Sequence, residues 1–237
     1  MTPYARVYEY PHGAIVTIRL PSRYEDLDVA FRGHLRPNTG LLNQVKQAFQ
    51  SMRMSGGIRF LPIYGRSGSG KTSAAFELST HLPEVKVFKL TRDAIESREH
   101  LTQEIRTKVI DFSGAPMIGV IDQFEEVAAQ QSRIPKEFVE SLALLDRGDL
   151  RENHILFIWL TTDRVFQLDL VNATTRNKRI LASPNVEIDG PPVQDWPKII
   201  SDIPSSRQNP KILWVDDAEV VRDRIAQLRP VLRDFLA

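Results

Sequence analysis

From residue 58 onward, short runs of apolar residues alternate with longer stretches in which apolar positions return every three or four residues. The short runs, 58–64, 85–90, 117–122, 154–161 and 186–188, are apolar at most positions, as strands buried on both faces are. The intervening segments, 71–81, 92–111, 135–145 and 165–173, have helical spacing; in 92–111 the inward face is Ile95, Leu101, Ile105 and Val109. Right-handed crossovers joining such strands and helices produce an α/β fold, a parallel sheet with helices on both faces. Pro62, inside the first run, departs from the pattern, because proline has no N–H to give to a sheet ladder.

Upstream, Leu41, Val45, Ala48, Phe49 and Met52 recur at helical spacing until Gly56-Gly57 ends the helix. Two β-leaning runs, ARVYEY and AIVTIRL, flank Pro11-His12-Gly13 and predict a hairpin near the N-terminus. After Asp189-Gly190-Pro191-Pro192 the composition changes, and two helix-like pieces follow, 193–203 and 217–236, the second interrupted by Pro230. The expected organisation is a β-containing extension at 1–40, an α/β core at 41–190 and a small helical subdomain at 191–237.

Gly65-Arg66-Ser67-Gly68-Ser69-Gly70-Lys71-Thr72 satisfies G-x-x-x-x-G-K-[ST] between an apolar strand and an amphipathic helix. The glycines let the backbone curl with its N–H groups inward, and the helix N-terminus adds partial positive charge, so the segment, with Ser73, suits a polyphosphate. Lys71 is placed to reach the β and γ phosphates, and the Thr72 hydroxyl to ligate magnesium. The run 117–122 ends in Asp122, where an outer-sphere carboxylate of a magnesium site belongs. Gln123-Phe124-Glu125-Glu126 follows, and Glu125 and Glu126 are the candidates for polarising an attacking water. The implied ligands are ATP and Mg2+, although no base-reading motif separates ATP from GTP.

Together, GRSGSGKT and MIGVIDQFEE resemble the P-loop ATPases of the AAA+ and STAND group, ASCE-type ATPases, over about residues 41–236. The resemblance implies a P-loop NTPase core followed by a short helical lid at 191–237. It makes the strand ending in Thr161-Thr162-Asp163 similar to a sensor 1 strand, with Thr161 or Thr162 sensing the γ-phosphate. It places Arg176 and Arg179, in TTRNKR, where such proteins carry an arginine finger, and leaves Arg222 or Arg224 for sensor 2. Most AAA+ members have the catalytic glutamate directly after the Walker B aspartate; this chain has Gln123 there and its acids beyond Phe124, as STAND-like sequences do. The implied function is Mg-dependent ATP binding and hydrolysis coupled to assembly or remodelling of a partner, in a STAND-like signalling or defence system. The implied assembly is a homo-oligomer or a larger protein complex. A nucleotide-switched binding module with little turnover, consistent with Gln123, stays open, as does a P-loop small-molecule kinase.

Composition narrows the picture further. Lys and Arg total 31 against 30 for Asp and Glu, a formal charge of +1, so net charge does not indicate nucleic acid and leaves only a local basic patch open. The absence of cysteine excludes disulfides, thiolate metal sites and cysteine nucleophiles. The five histidines have no ligand spacing that would suit zinc. Trp159 is expected in the core, Trp196 and Trp214 in the lid, and Asp216-Asp217 at a helix N-cap. With no signal-peptide pattern and no apolar run near the roughly 20 residues of a membrane span, the expectation is a soluble cytoplasmic protein.

Overall fold

The computed structural model describes residues 4–9, 14–19, 38–55, 57–122, 124, 134–148 and 150–189. The chain divides into two compact units, one of Pro37–Gly65 and Ala74–Ile188, the other of Met1–Arg36, Arg66–Ser73 and Asp189–Ala237. The helical pieces expected at 193–203 and 217–236, with Trp196, Trp214, Asp216, Asp217, Arg222 and Arg224, lie outside the described residues, as do Gln123, Glu125 and Glu126.

In the second of these units, β1 (Tyr4–Glu9) and β2 (Ala14–Arg19) pair antiparallel from Tyr4↔Arg19 to Glu9↔Ala14, the hairpin expected around Pro11-His12-Gly13. The loop 66–73 also belongs to this unit.

The first unit is built on a five-stranded parallel sheet of β3 (Ile58–Tyr64), β4 (Lys86–Lys89), β5 (Met117–Ile121), β6 (Ile155–Thr161) and β7 (Val186–Glu187), in the order β4-β5-β6-β3-β7. α1 (Thr39–Ser55) precedes β3, and α2 (Lys71–His81), α4 (Arg98–Asp111), α5 (Ile134–Arg147) and α6 (Arg164–Ala173) make the crossovers, with the short α3 (Arg92–Glu96) ahead of α4. A 3-10 helix at Thr175–Ile180 leads from α6 toward β7.

Consecutive apolar residues in the strands serve opposite faces. Leu61, Ile63, Ile118, Val120, Leu156, Ile158 and Leu160 pack under α1 and α2; Phe60, Met117, Ile121, Phe157 and Trp159 pack under α4, α5 and α6. Trp159 is fully buried and meets Phe60, Phe124, Phe138 and Phe166 ring to ring, so the core position expected for it is correct. Gly119 keeps the centre of β5 thin: a Cβ there would stand 2.6 Å from Leu90 and 2.9 Å from the Phe157 ring.

The single helix expected over 92–111 is two. Ser97 adopts an extended conformation (φ −135°, ψ 126°), and Thr91 caps α3 by accepting from the Ala94 N–H. Pro62 fits because the carbonyls of Phe60, Pro62 and Tyr64 all face β7, where pairing is incomplete. Phe60 accepts from Ala182 and Tyr64 from Ile188, and between those contacts residues 183–185 form no bridge with β3. The donor that proline lacks is not needed there.

One buried carboxyl in α2 carries a stability consequence. Glu77 is 3% exposed, and burial raises its pKa above the ordinary glutamate value, opposed by the hydrogen bond and charge of His81, 3.5 Å away. The folded chain therefore holds this proton more firmly than the unfolded chain, so stability contributed by the protonated form is lost as pH rises from the usual glutamate range through the folded pKa. Glu77→Gln is expected to gain stability over the parent across that window and to hold a constant advantage above it; denaturant melts at stepped pH would contradict this with a pH-independent difference.

Candidate functional site

All five strands run the same way, so Leu90-Thr91, Asp122, Thr161-Thr162, Gly65 and Ile188 stand at one end of the sheet. β6 lies between β3 and β5, which sets the tips of those two strands about 10 Å apart, twice the interstrand spacing. Ligands of open α/β sheets bind at this carboxyl end.

The loop leaving β3 has the conformation its sequence requires. Gly68 and Gly70 adopt φ of 80° and 86°, a region in which a side chain would be strained. The Ser69 N–H donates to the Arg66 carbonyl at 3.1 Å, closing a turn, and Lys71 Nζ donates to the same carbonyl at 2.9 Å. Lys71 and Thr72 open α2, whose first turn holds no acidic residue, so nothing on the helix itself offsets its positive end. Ser69 is 3% exposed and its hydroxyl has no hydrogen-bond partner. A polyphosphate, which offers acceptors to backbone N–H groups, a lysine and a hydroxyl, fits this donor set.

Asp122 follows β5 directly and is half-buried. Two residues later Phe124 is buried in the core, its ring edge-on to Trp159 at 5.9 Å. At the tip of β6 the two threonines differ. Thr161 is fully buried and its hydroxyl accepts from the Asp163 N–H at 3.0 Å, whereas Thr162 is exposed. The Thr161 carbonyl accepts from the Gly65 N–H at 3.1 Å, tying the tip of β6 to the residue that begins the loop.

Arg176 and Arg179 occupy different settings in the 3-10 helix. Arg176 is exposed. Arg179 donates to the Ser55 carbonyl at 3.0 Å and lies 3.6 Å from the Asp146 carboxylate, at the amino end of β3, about 20 Å from the strand tips. Asp146 is the centre of this cluster. It is buried, accepts from the Ile58 N–H at 2.7 Å, and faces Arg59, whose guanidinium is buried and bonded to Ser51, Ser55 and the Ile58 carbonyl. Burial lowers the Arg59 pKa, Asp146 raises it and Arg179 lowers it again. Asp146→Ala leaves a buried N–H unmet and two cations without their counter-charge, and is expected to cost about 2–4 kcal/mol in chemical denaturation. A loss within about 0.5 kcal/mol would mean that the cluster is solvated.

Sequence reasoning missed Gln167. It is 1% exposed on the inward face of α6, and its Nε2 donates to the carbonyls of Pro62 at 3.2 Å and Val186 at 3.1 Å, while its Oε1 accepts from Arg164 Nη1 at 2.8 Å. A lone amide on an otherwise apolar helix face was the available signal.

This sheet order, with the loop after β3 and Asp122 after β5, defines the chain as an α/β fold with a P-loop NTPase core. Among solved structures it is similar to that of the ORC2 protein of Aeropyrum pernix in its ADP form, with a TM-score of 0.56 and 13% identity, covering 85% of this chain and 62% of that one. The same protein in ADPNP-ADP complexes matches with a TM-score of 0.56 and 14% identity, over 85% of this chain and 61% of that one. The chain thus spans about three fifths of the length of these structures, and the likeness is one of fold. No model of a known protein family matches the sequence, and no curated protein matches it significantly. No helix among the described residues is long and apolar enough to cross a membrane.

Proposed function

We propose that the chain binds ATP with Mg2+ and hydrolyses it to drive assembly or remodelling of a protein partner. The observation that carries this reading is the loop 66–72: two glycines at positive φ, a buried hydroxyl without a partner, and Lys71 and Thr72 at the start of a helix free of acids in its first turn. In this reading the backbone of Gly65, Arg66, Ser67, Gly68, Ser69 and Gly70, with Thr72 and Ser73, holds the phosphates. Lys71 neutralises their charge, and Thr72 and Asp122 hold the metal, which supplies charge stabilisation when bound. Thr162, the exposed hydroxyl of the β6 tip, meets the γ-phosphate, and Thr161 shapes the turn that presents it. Glu125 or Glu126 orients the attacking water. Arg176 acts on a neighbouring copy's nucleotide, since Arg179 is committed to Asp146 and Ser55.

The likeness in fold to ORC2 favours the AAA+ side of the sequence resemblance; a STAND-like signalling or defence role rests on the sequence alone. A homo-oligomer or larger complex, acting in the cytoplasm, completes the proposal. Gln123 favours a second reading, a nucleotide-controlled binding module with little turnover. Solution mass with and without ATP and Mg2+, recorded beside phosphate release, distinguishes them: growth in mass with turnover supports the first, growth without turnover the second, and neither response contradicts both.

A further inference from the structure

The link made by Gln167 joins three elements that the backbone alone holds loosely. β7 pairs with β3 through only Ile63↔Val186 and Tyr64↔Glu187. At the start of this ladder the Gln167 amide donates to the Pro62 carbonyl of β3 and to the Val186 carbonyl of β7, adding a side-chain link between the two strands beside their backbone pairing. Packing does not require an amide here, since the next inward residue of α6 is Leu170. With both N–H donors on carbonyls and its oxygen on Arg164, the amide has one orientation that satisfies every group.

Arg164 extends the link outward. Its guanidinium lies 5.1 Å from the centroid of the Tyr64 ring and 3.5 Å from the Glu187 carboxylate, so one side chain touches the last residue of β3 and the last of β7. α6 also starts without slack from the tip of β6. The Asp163 N–H is held by the Thr161 hydroxyl, and the Asp163 carboxylate caps α6 by accepting from the Val165 and Phe166 N–H groups at 2.8 and 3.2 Å. A shift at Thr161-Thr162 therefore reaches the N-terminal turn of α6, then Arg164 and Gln167, and through them β7, the last strand before residue 189.

We infer that Arg164 and Gln167 are positioning residues that lock β7 to β3 and carry the nucleotide state of the β6 tip into β7. This rests on the proposed nucleotide site and deepens it. Neither residue touches nucleotide; both act through the strand tips.

Hydrogen exchange of residues 181–189, measured with and without the β,γ-imido analogue of ATP and Mg2+, tests the inference, with calorimetry of the same samples giving affinity. In the parent, the analogue is expected to slow exchange there by about tenfold, and ADP to do so less. Arg164→Ala and Gln167→Leu are expected to bind the analogue within about threefold of the parent yet lose most of that slowing, while Arg164→Lys, which keeps a charged donor, retains at least about half. Should Gln167→Leu not fold, Arg164→Ala, altered at a half-exposed side chain, decides. Parent-sized slowing in Arg164→Ala, equal losses of affinity and slowing, or a parent that binds the analogue without any change at 181–189 would each overturn the inference. A parent that binds no nucleotide brings down the proposed function itself, and this inference with it.

Discussion

Arg176→Ala is expected to leave ATP affinity nearly unchanged and to lower turnover by about 10³–10⁵-fold, the range for an arginine supplied to a developing phosphoryl charge from a neighbouring subunit. Arg176 is exposed in the 3-10 helix that follows α6, free of the network that holds Arg179 at the amino end of β3. Because the complete site would exist only between copies, parent hydrolysis is expected to rise more steeply than linearly with protein concentration. Mixing Arg176→Ala with Lys71→Ala should restore part of the lost rate, since each partner supplies what the other lacks. A strictly linear concentration plot, together with parent turnover in Arg176→Ala, would make TTRNKR a solvated surface and favour the switch reading, which needs no finger.

The double substitution Glu125→Gln with Glu126→Gln is expected to keep ATP binding and to cut hydrolysis by about 10²–10⁴-fold, the usual contribution of a positioned general base. Asp122→Asn, by contrast, removes charge from the proposed metal site, so its loss should show in the Mg2+ dependence of binding as well as in rate. Normal turnover in the double variant would place the water-activating group elsewhere and detach DQFEE from catalysis.

The parallel sheet was legible chiefly because its central strands β5 and β6 are buried at every position, and burial on both faces makes them almost wholly apolar. The loop was equally legible, since Gly68 and Gly70 take the positive φ that the motif demands. What escaped depends on contacts distant in sequence. Asp146 stood beyond the expected end of its helix, and nothing local announces that its carboxylate accepts from Ile58, 88 residues away. The break between α3 and α4 was hidden because 92–111 is helical in pattern throughout, and only the extended backbone of Ser97 divides it. Asp163 was a readable N-cap that would have moved the start of α6 back to Arg164. Pro62 looked like an exception and Gln167 went unread; the structure places them together, the Gln167 amide donating to the Pro62 carbonyl.

The central claim, that the loop 66–72 holds a nucleoside triphosphate, is tested most directly by calorimetric titration of ATP with Mg2+ into the parent and into Lys71→Ala. The parent should bind one ATP per chain. The variant, folded by circular dichroism and melting as the parent does, should bind at least about tenfold to a hundredfold more weakly, the loss expected when a charged hydrogen-bond donor to phosphate is removed. Its fold should survive because the Lys71 amine donates to the loop's own Arg66 carbonyl and the residue belongs to neither apolar core cluster. Equal affinity in the two folded proteins, or no binding by the parent, would contradict the account.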